Sequence, residues 1–144
     1  MANEIVLDRP ITFGKAGKIN ELEPFGFDLS EAGASWTTDE VAGFSGNLAA
    51  IPPVGDIRLI VKGTPFIHSD RKSQQVFIFI NGLWVAFRNF TGDAVLPLPR
   101  NALAMRNIRV NLVIPTATSP KELGLSSDLR KLGLSVSSIT FASK

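Results

Sequence analysis

In 144 residues the chain carries 15 basic and 13 acidic side chains, a formal net charge of +2, and 44% of its residues are hydrophobic. That balance excludes a disordered chain. The absence of Cys excludes disulfides and thiolate metal centres, and with His68 as the only histidine no multi-histidine site can form within one chain.

The length suits one β-sandwich domain over residues 1–144. A chain of this size buries roughly 68–70% of its unfolded surface, so it needs no covalent staple. Nucleic-acid binders gather Lys and Arg in a stripe. Here the densest basic groups, Arg71-Lys72 and Lys121 with Arg130-Lys131, are small and carry no interleaved aromatics, so no nucleic-acid partner is expected. The N-terminus lacks a basic region followed by an apolar run, so no signal peptide is read there. The longest apolar stretch, Val76–Ile80, is too short to cross a bilayer. The expectation is a cytoplasmic protein without membrane insertion.

Short apolar runs follow one another in chain order, punctuated by Gly and Pro. Glu4–Leu7 is closed by Asp8-Arg9-Pro10, and Ile11–Phe13 is closed by Gly14. A glycine-rich stretch follows through Gly33, then a short strand over Ser35–Thr38 around Trp36. Asn47–Ile51 is a further strand, stopped by Pro52-Pro53. In Asp56–Gly63, Ile57, Leu59 and Val61 share one face, with Arg58, Ile60 and Lys62 on the other.

The strongest local signal spans Gln74–Phe90. Val76-Phe77-Ile78-Phe79-Ile80 leads through Asn81-Gly82 into Leu83-Trp84-Val85-Ala86-Phe87. Asn-Gly accepts the positive φ that a two-residue type I′ hairpin requires at both central positions. Both faces of the first arm are apolar, which predicts a central hairpin covered on both sides. Asp93–Leu98 and Asn107–Ile114 follow as strands, and Leu132–Phe141 is the last. Ser119-Pro120-Lys121-Glu122 matches a capping box with Pro at the first helical position. It predicts one short helix near 119–124, and a second helical turn is expected from Ser127. Roughly nine strands with so little helix predict an all-β, antiparallel two-sheet sandwich, with a jelly roll as the preferred topology and a closed barrel as the alternative.

The stretch Ser119–Leu134 reads Ser-Pro-x-Glu-Leu-Gly, then Ser-x-Asp-x-Arg-x-Leu-Gly-Leu. It resembles the ending of small β-sandwich domains associated with bacterial glycosyltransferases of surface-polysaccharide synthesis. Asn81-Gly82 followed by a strand, and the loop Pro97–Pro99, resemble the middle of those domains. Gly26-Phe27-Asp28-Leu29-Ser30-Glu31 with Trp36 resembles their opening, with Phe27 where they carry Trp. The resemblance implies a carbohydrate-binding or accessory role in envelope polysaccharide biology and no catalytic residue. It makes a carbohydrate one expected partner and a glycosyltransferase another.

The ligand candidates are Trp36 and Trp84, whose indoles can stack on a sugar ring, with Arg88 and His68 beside them. Trp84 is expected to share a strand face with Ala86 and Arg88. Asp128 and Arg130 are read as a structural ion pair across a turn, and Asn81 and Gly82 as the structural turn pair. Asp28, Glu31, Asp39 and Glu40 form the main acidic region. Paired carboxylates there would serve glycoside hydrolysis or bind calcium, but a solvated loop is the expected role. Gly14-Lys15-Ala16-Gly17-Lys18 echoes a phosphate loop without its spacing. No catalytic residue, cofactor or metal site is expected. A homo-oligomeric interaction module without sugar binding is the alternative from another class, and a glycosidase-like enzyme the weaker third.

Overall fold

The computed structural model describes residues 3–52 and 55–143. Ten strands are present among them: β1 (Glu4–Ile5), β2 (Ile11–Thr12), β3 (Ser35–Trp36), β4 (Val41–Leu48), β5 (Ile57–Pro65), β6 (Gln74–Ile80), β7 (Leu83–Phe90), β8 (Ala94–Leu98), β9 (Asn107–Val113) and β10 (Leu134–Ala142). They form two sheets. The first has the order β1-β4-β9-β6-β7, and the second β2-β10-β5-β8, with β3 also paired to β10. Pairing is antiparallel except for β1 with β4.

Apart from the short β1 and β3, the chain passes from β2 in the second sheet to β4 in the first. It continues to β5 in the second, the β6–β7 hairpin in the first, β8 in the second, β9 in the first and β10 in the second. This is the winding of a jelly roll. The alternation that made these strands legible also builds the core. Val76, Ile78 and Ile80 of β6 and Ile108, Val110 and Leu112 of β9 turn inward. They meet Leu59 and Val61 of β5 and Leu134, Val136, Ile139 and Phe141 of β10. Each such side chain contributes about 1.5–3 kcal/mol on full burial. In β10 the buried positions change from even to odd because a bulge between Val136 and Ser138 inserts one residue.

Four expectations are corrected. The helix near 119–124 is a hydrogen-bonded turn. Ser119 Oγ does accept the Glu122 N–H at 3.1 Å, but Gly124 takes a φ of 72° and ends the segment after one turn. Residues 127–130 form no helical turn, and the strand expected over Asn47–Ile51 lies earlier, at Val41–Leu48. Pro53, expected to stop it, lies outside the described residues. Finally, the β6–β7 hairpin is not central, because β7 is the outermost strand of the first sheet. Two short 3-10 turns at Lys18–Glu21 and Arg100–Leu103 had no clear sequence signal.

Candidate functional site

The outer face of the first sheet carries its aromatic side chains in register. Gly43 pairs with Asn111, Asn111 with Phe79, and Phe79 with Trp84. Phe25 extends this row by bridging Gly43 from the other side. In the adjoining row Val41 pairs with Val113, Val113 with Phe77, and Phe77 with Phe87. Paired residues point to the same face of a sheet, so the two rows form one apolar band across the strands. Its ends are open to solvent: Trp84 is 59% exposed, Val41 41%, Phe25 40% and Phe87 39%. The rings touch, with Phe77 centred 4.6 Å from Phe87 and 6.1 Å from Trp84.

Trp84 reaches this band through a bulge. Ile78 pairs with Ala86 but Phe79 pairs with Trp84, so Val85 is the extra residue on β7. Ala86 and Arg88 therefore face the inter-sheet side while Trp84 faces out, which corrects the expectation that the three share a face. The Trp84 Nε1–H donates to the Ala86 carbonyl at 3.0 Å. With its donor engaged there, the indole leaves its ring surface open to solvent.

A polar pair borders each long side of the band over part of its length. On one side Ser45 pairs with Arg109. The Ser45 hydroxyl donates to Glu23 Oε2 at 2.8 Å, and the Arg109 backbone N–H donates to Asn81 Oδ1 at 2.8 Å. These residues line a shallow pocket of about 170 Å³ with Asn107 and Ile108. On the other side Gln75 pairs with Asn89. Within the band, Asn111 Oδ1 is buried without a hydrogen-bond partner among the described residues. The Phe25 ring and this oxygen both close on Gly43, where an added Cβ would lie 2.9 Å and 2.7 Å from them and 2.2 Å from the Val110 carbonyl oxygen.

The structure does not bring the four ligand candidates together. Trp36 pairs with Ser135, which pairs with Thr64, on the outer face of the second sheet. There Trp36 meets Phe66 edge to face at 6.2 Å, and Phe66 meets His68 at 5.7 Å. Both His68 ring nitrogens are buried without a partner among the described residues. Trp36 and His68 thus lie on the opposite side of the sandwich from Trp84. Arg88 pairs with the buried Val76, and its Nη2 donates to the Val95 carbonyl of β8 at 3.3 Å. It ties the edge strands of the two sheets together.

Arg130 donates to Asp128 and Asp28 at 2.7 Å each, joining the 119–131 loop to the segment before β3. The Asp128 carboxyl is lowered to about 2 by hydrogen bonds from the Arg130 side chain and backbone. Asp28 is lowered by the Ser30 hydroxyl and N–H, with Arg130 adding to them. Asp39 accepts the Glu40 N–H, and Glu40 stands 3.9 Å from Lys131. Asp28, Glu31, Asp39 and Glu40 are all outside the rows of the band. Among the described residues no group of three or more metal-ligating side chains stands together, and no helix is long and apolar enough to cross a membrane.

Phe25, Phe77, Phe79, Phe87 and Asn111 were not singled out from the sequence. The two-sided apolarity of Val76–Ile80 was the available signal, since phenylalanines with no covering layer must meet solvent or a partner.

No family model matches the chain, and no curated protein matches it. Solved structures to which it is similar include the following. A family 35 carbohydrate-binding module from Clostridium thermocellum is 13% identical over 91% of this chain and 95% of its own, with a TM-score of 0.49. Carbohydrate-binding module CBM36, in complex with calcium and xylotriose, is 20% identical over 70% of this chain and 71% of its own, with a TM-score of 0.39. An acetyl xylan esterase from the rumen bacterium Butyrivibrio proteoclasticus is 15% identical over 93% of this chain and 29% of its own, with a TM-score of 0.38. Scores and identities this low carry no inference about ligand or site.

Proposed function

We propose that this chain is a non-catalytic carbohydrate-recognition module that holds its ligand on the outer face of the first sheet. The observation that carries the reading is the exposed aromatic band, bordered on each long side by a hydrogen-bonding pair. A sugar ring has an apolar C–H face and a rim of hydroxyls. Phe79, Phe77, Phe87 and Trp84 offer surface to the first, and Ser45, Arg109, Gln75 and Asn89 offer donors and acceptors to the second. Glycoside hydrolysis needs two carboxylates flanking the scissile bond, and the acidic residues considered for it are outside the band. The resemblance of Ser119–Leu134 supports placing the module in bacterial polysaccharide synthesis, with a glycosyltransferase as its protein partner.

Self-association is the second reading, favoured by the same exposed rings and by Leu83, 43% exposed on the edge strand. A glycan microarray read with the wild type and Trp84→Ala, together with sedimentation velocity, separates the two. Glycan binding that weakens in the variant supports recognition. No binding, together with a dimer that Trp84→Ala dissociates, overturns it in favour of association.

A further inference from the structure

The apolar band has a long axis, and that axis runs across the strands. Its first row passes from Phe25 over Gly43, Asn111 and Phe79 to Trp84. At about 4.8 Å between neighbouring backbones, the row spans about 19 Å. Along the strands the band is two rows wide, about 7 Å at the usual rise per residue. Hydrogen-bonding groups line the long sides: Ser45, Arg109 and Glu23 on one, Gln75 and Asn89 on the other.

The short ends are built differently. At one end stand Trp84 and Phe87, on an edge strand with no further partner in its sheet among the described residues. At the other stand Phe25 and Val41. Exposure is greatest at these ends; between them Gly43, next to Phe25, is buried, and Asn111, Phe79, Val113 and Phe77 are half-buried. A site that reads a chain terminus needs a wall and polar groups facing the terminal ring. Here both ends carry open apolar surface.

We propose that this face takes an internal stretch of an extended glycan, lying across the strands from Phe25 to Trp84 with both chain ends running off the protein. The inference rests on the carbohydrate reading of the same face and adds the chain direction and the class of ligand: polymer interiors in place of termini or small sugars. A ligand of one or two rings covers only part of a 19 Å row, so affinity grows with chain length until the row is filled, and the ends contribute little.

The test uses the full chain in affinity electrophoresis through gels holding arabinoxylan, mixed-linkage β-glucan, glucomannan, polygalacturonate or alginate. The polymer that retards migration is then cut into a ladder from monosaccharide to hexasaccharide, and each length is titrated by calorimetry. The hexasaccharide is expected to bind about tenfold or more tightly than the disaccharide. Borohydride reduction of its terminal ring is expected to leave that affinity unchanged. Phe25→Ala and Trp84→Ala, both at exposed positions, are each expected to weaken the hexasaccharide about two- to tenfold. A disaccharide is expected to respond to at most one of them. Thermal melts of both variants establish that they are folded. Equal affinity along the ladder, or loss of binding on reduction of the terminal ring, overturns the internal-chain proposal and leaves carbohydrate recognition standing. Failure of every polymer to retard the protein, together with no binding on the glycan microarray, overturns both.

Discussion

Removing the Trp84 indole tests the band most directly, because the chain has two tryptophans and they lie on opposite faces. The cost to folding is small by construction. The ring is 59% exposed, it meets Phe77 at 6.1 Å, and its N–H bonds to the neighbouring Ala86 carbonyl at the surface. One aromatic contact contributes about 0.5–1.5 kcal/mol, and an exposed hydrogen bond adds at most about 1 kcal/mol. Trp84→Ala is therefore expected to lower stability by about 1 kcal/mol and leave a cooperative melt. If ring stacking on a sugar is worth as much as ring on ring, the same change lowers glycan affinity about two- to tenfold. The assay is intrinsic fluorescence. Trp36→Phe keeps an aromatic ring against Phe66 and leaves Trp84 as the sole indole, so its emission should shift on titration with a polymer that retards the wild type. Trp84→Phe leaves Trp36 as the sole indole, and its emission should stay constant. The reverse pattern, with Trp36 responding and Trp84 silent, refutes the assignment and moves the site to the Trp36–Phe66–His68 face.

Three further outcomes are expected. Thr37 is fully buried, and its Oγ1 accepts the Gly133 N–H at 3.2 Å and the Leu134 N–H at 3.0 Å. Thr37→Val keeps the shape but strands two buried donors, so urea unfolding should show a loss of about 2–4 kcal/mol; a loss under about 0.5 kcal/mol contradicts this accounting. Asp28 and Asp128 hold their protons less tightly when folded than when unfolded. The Arg130 cluster's contribution is thus complete above about pH 4 and is lost as pH falls through the Asp128 value of about 2. Asp128→Asn should flatten the melting temperature's dependence on pH across that window, and curves parallel to wild type would speak against the linkage. Arg109→Gln, on the polar flank, should reorder the glycans preferred on an array, whereas Trp84→Ala should weaken all of them together. An unchanged ranking in Arg109→Gln counts against its role in selection.

The fold was legible where the pattern was local. The alternation of Ile57, Leu59 and Val61 holds through β5, and these side chains are buried. Asn81 and Gly82 have φ values of 50° and 81°, the left-handed pair that closes a two-residue hairpin. The site was less legible, for two physical reasons. A bulge slips the side-chain period by one residue, and no residue type at Val85 announces it. Reading straight through it put Trp84 with Ala86 and Arg88. The covering of a sheet face is also a non-local property. Alternating Val, Phe and Ile looks the same in a strand packed on both sides and in one whose outer face is open. Phe25 illustrates the point, since its place in the row comes from a bridge to Gly43 and not from any pattern around it.

The aromatic composition bears on how such a face can select. The chain holds 10 Phe, two Trp and no Tyr. Phe13, Phe44, Phe90 and Phe141 are buried in the core, while Phe25, Phe77, Phe79 and Phe87 line the band. A phenyl ring has no donor or acceptor, and the Trp84 donor is engaged by Ala86. The rings therefore supply contact that any sugar with an exposed C–H face can use, and they distinguish poorly among hydroxyl arrangements. Discrimination must come from groups whose hydrogen bonds have fixed geometry. Those stand in the flanking rows, at Ser45, Arg109, Gln75 and Asn89, on rigid neighbouring strands. On the proposed carbohydrate reading, affinity and selectivity are separated in space: the aromatic residues of the band would set how tightly a chain is held, and the polar residues at its borders which chain it is.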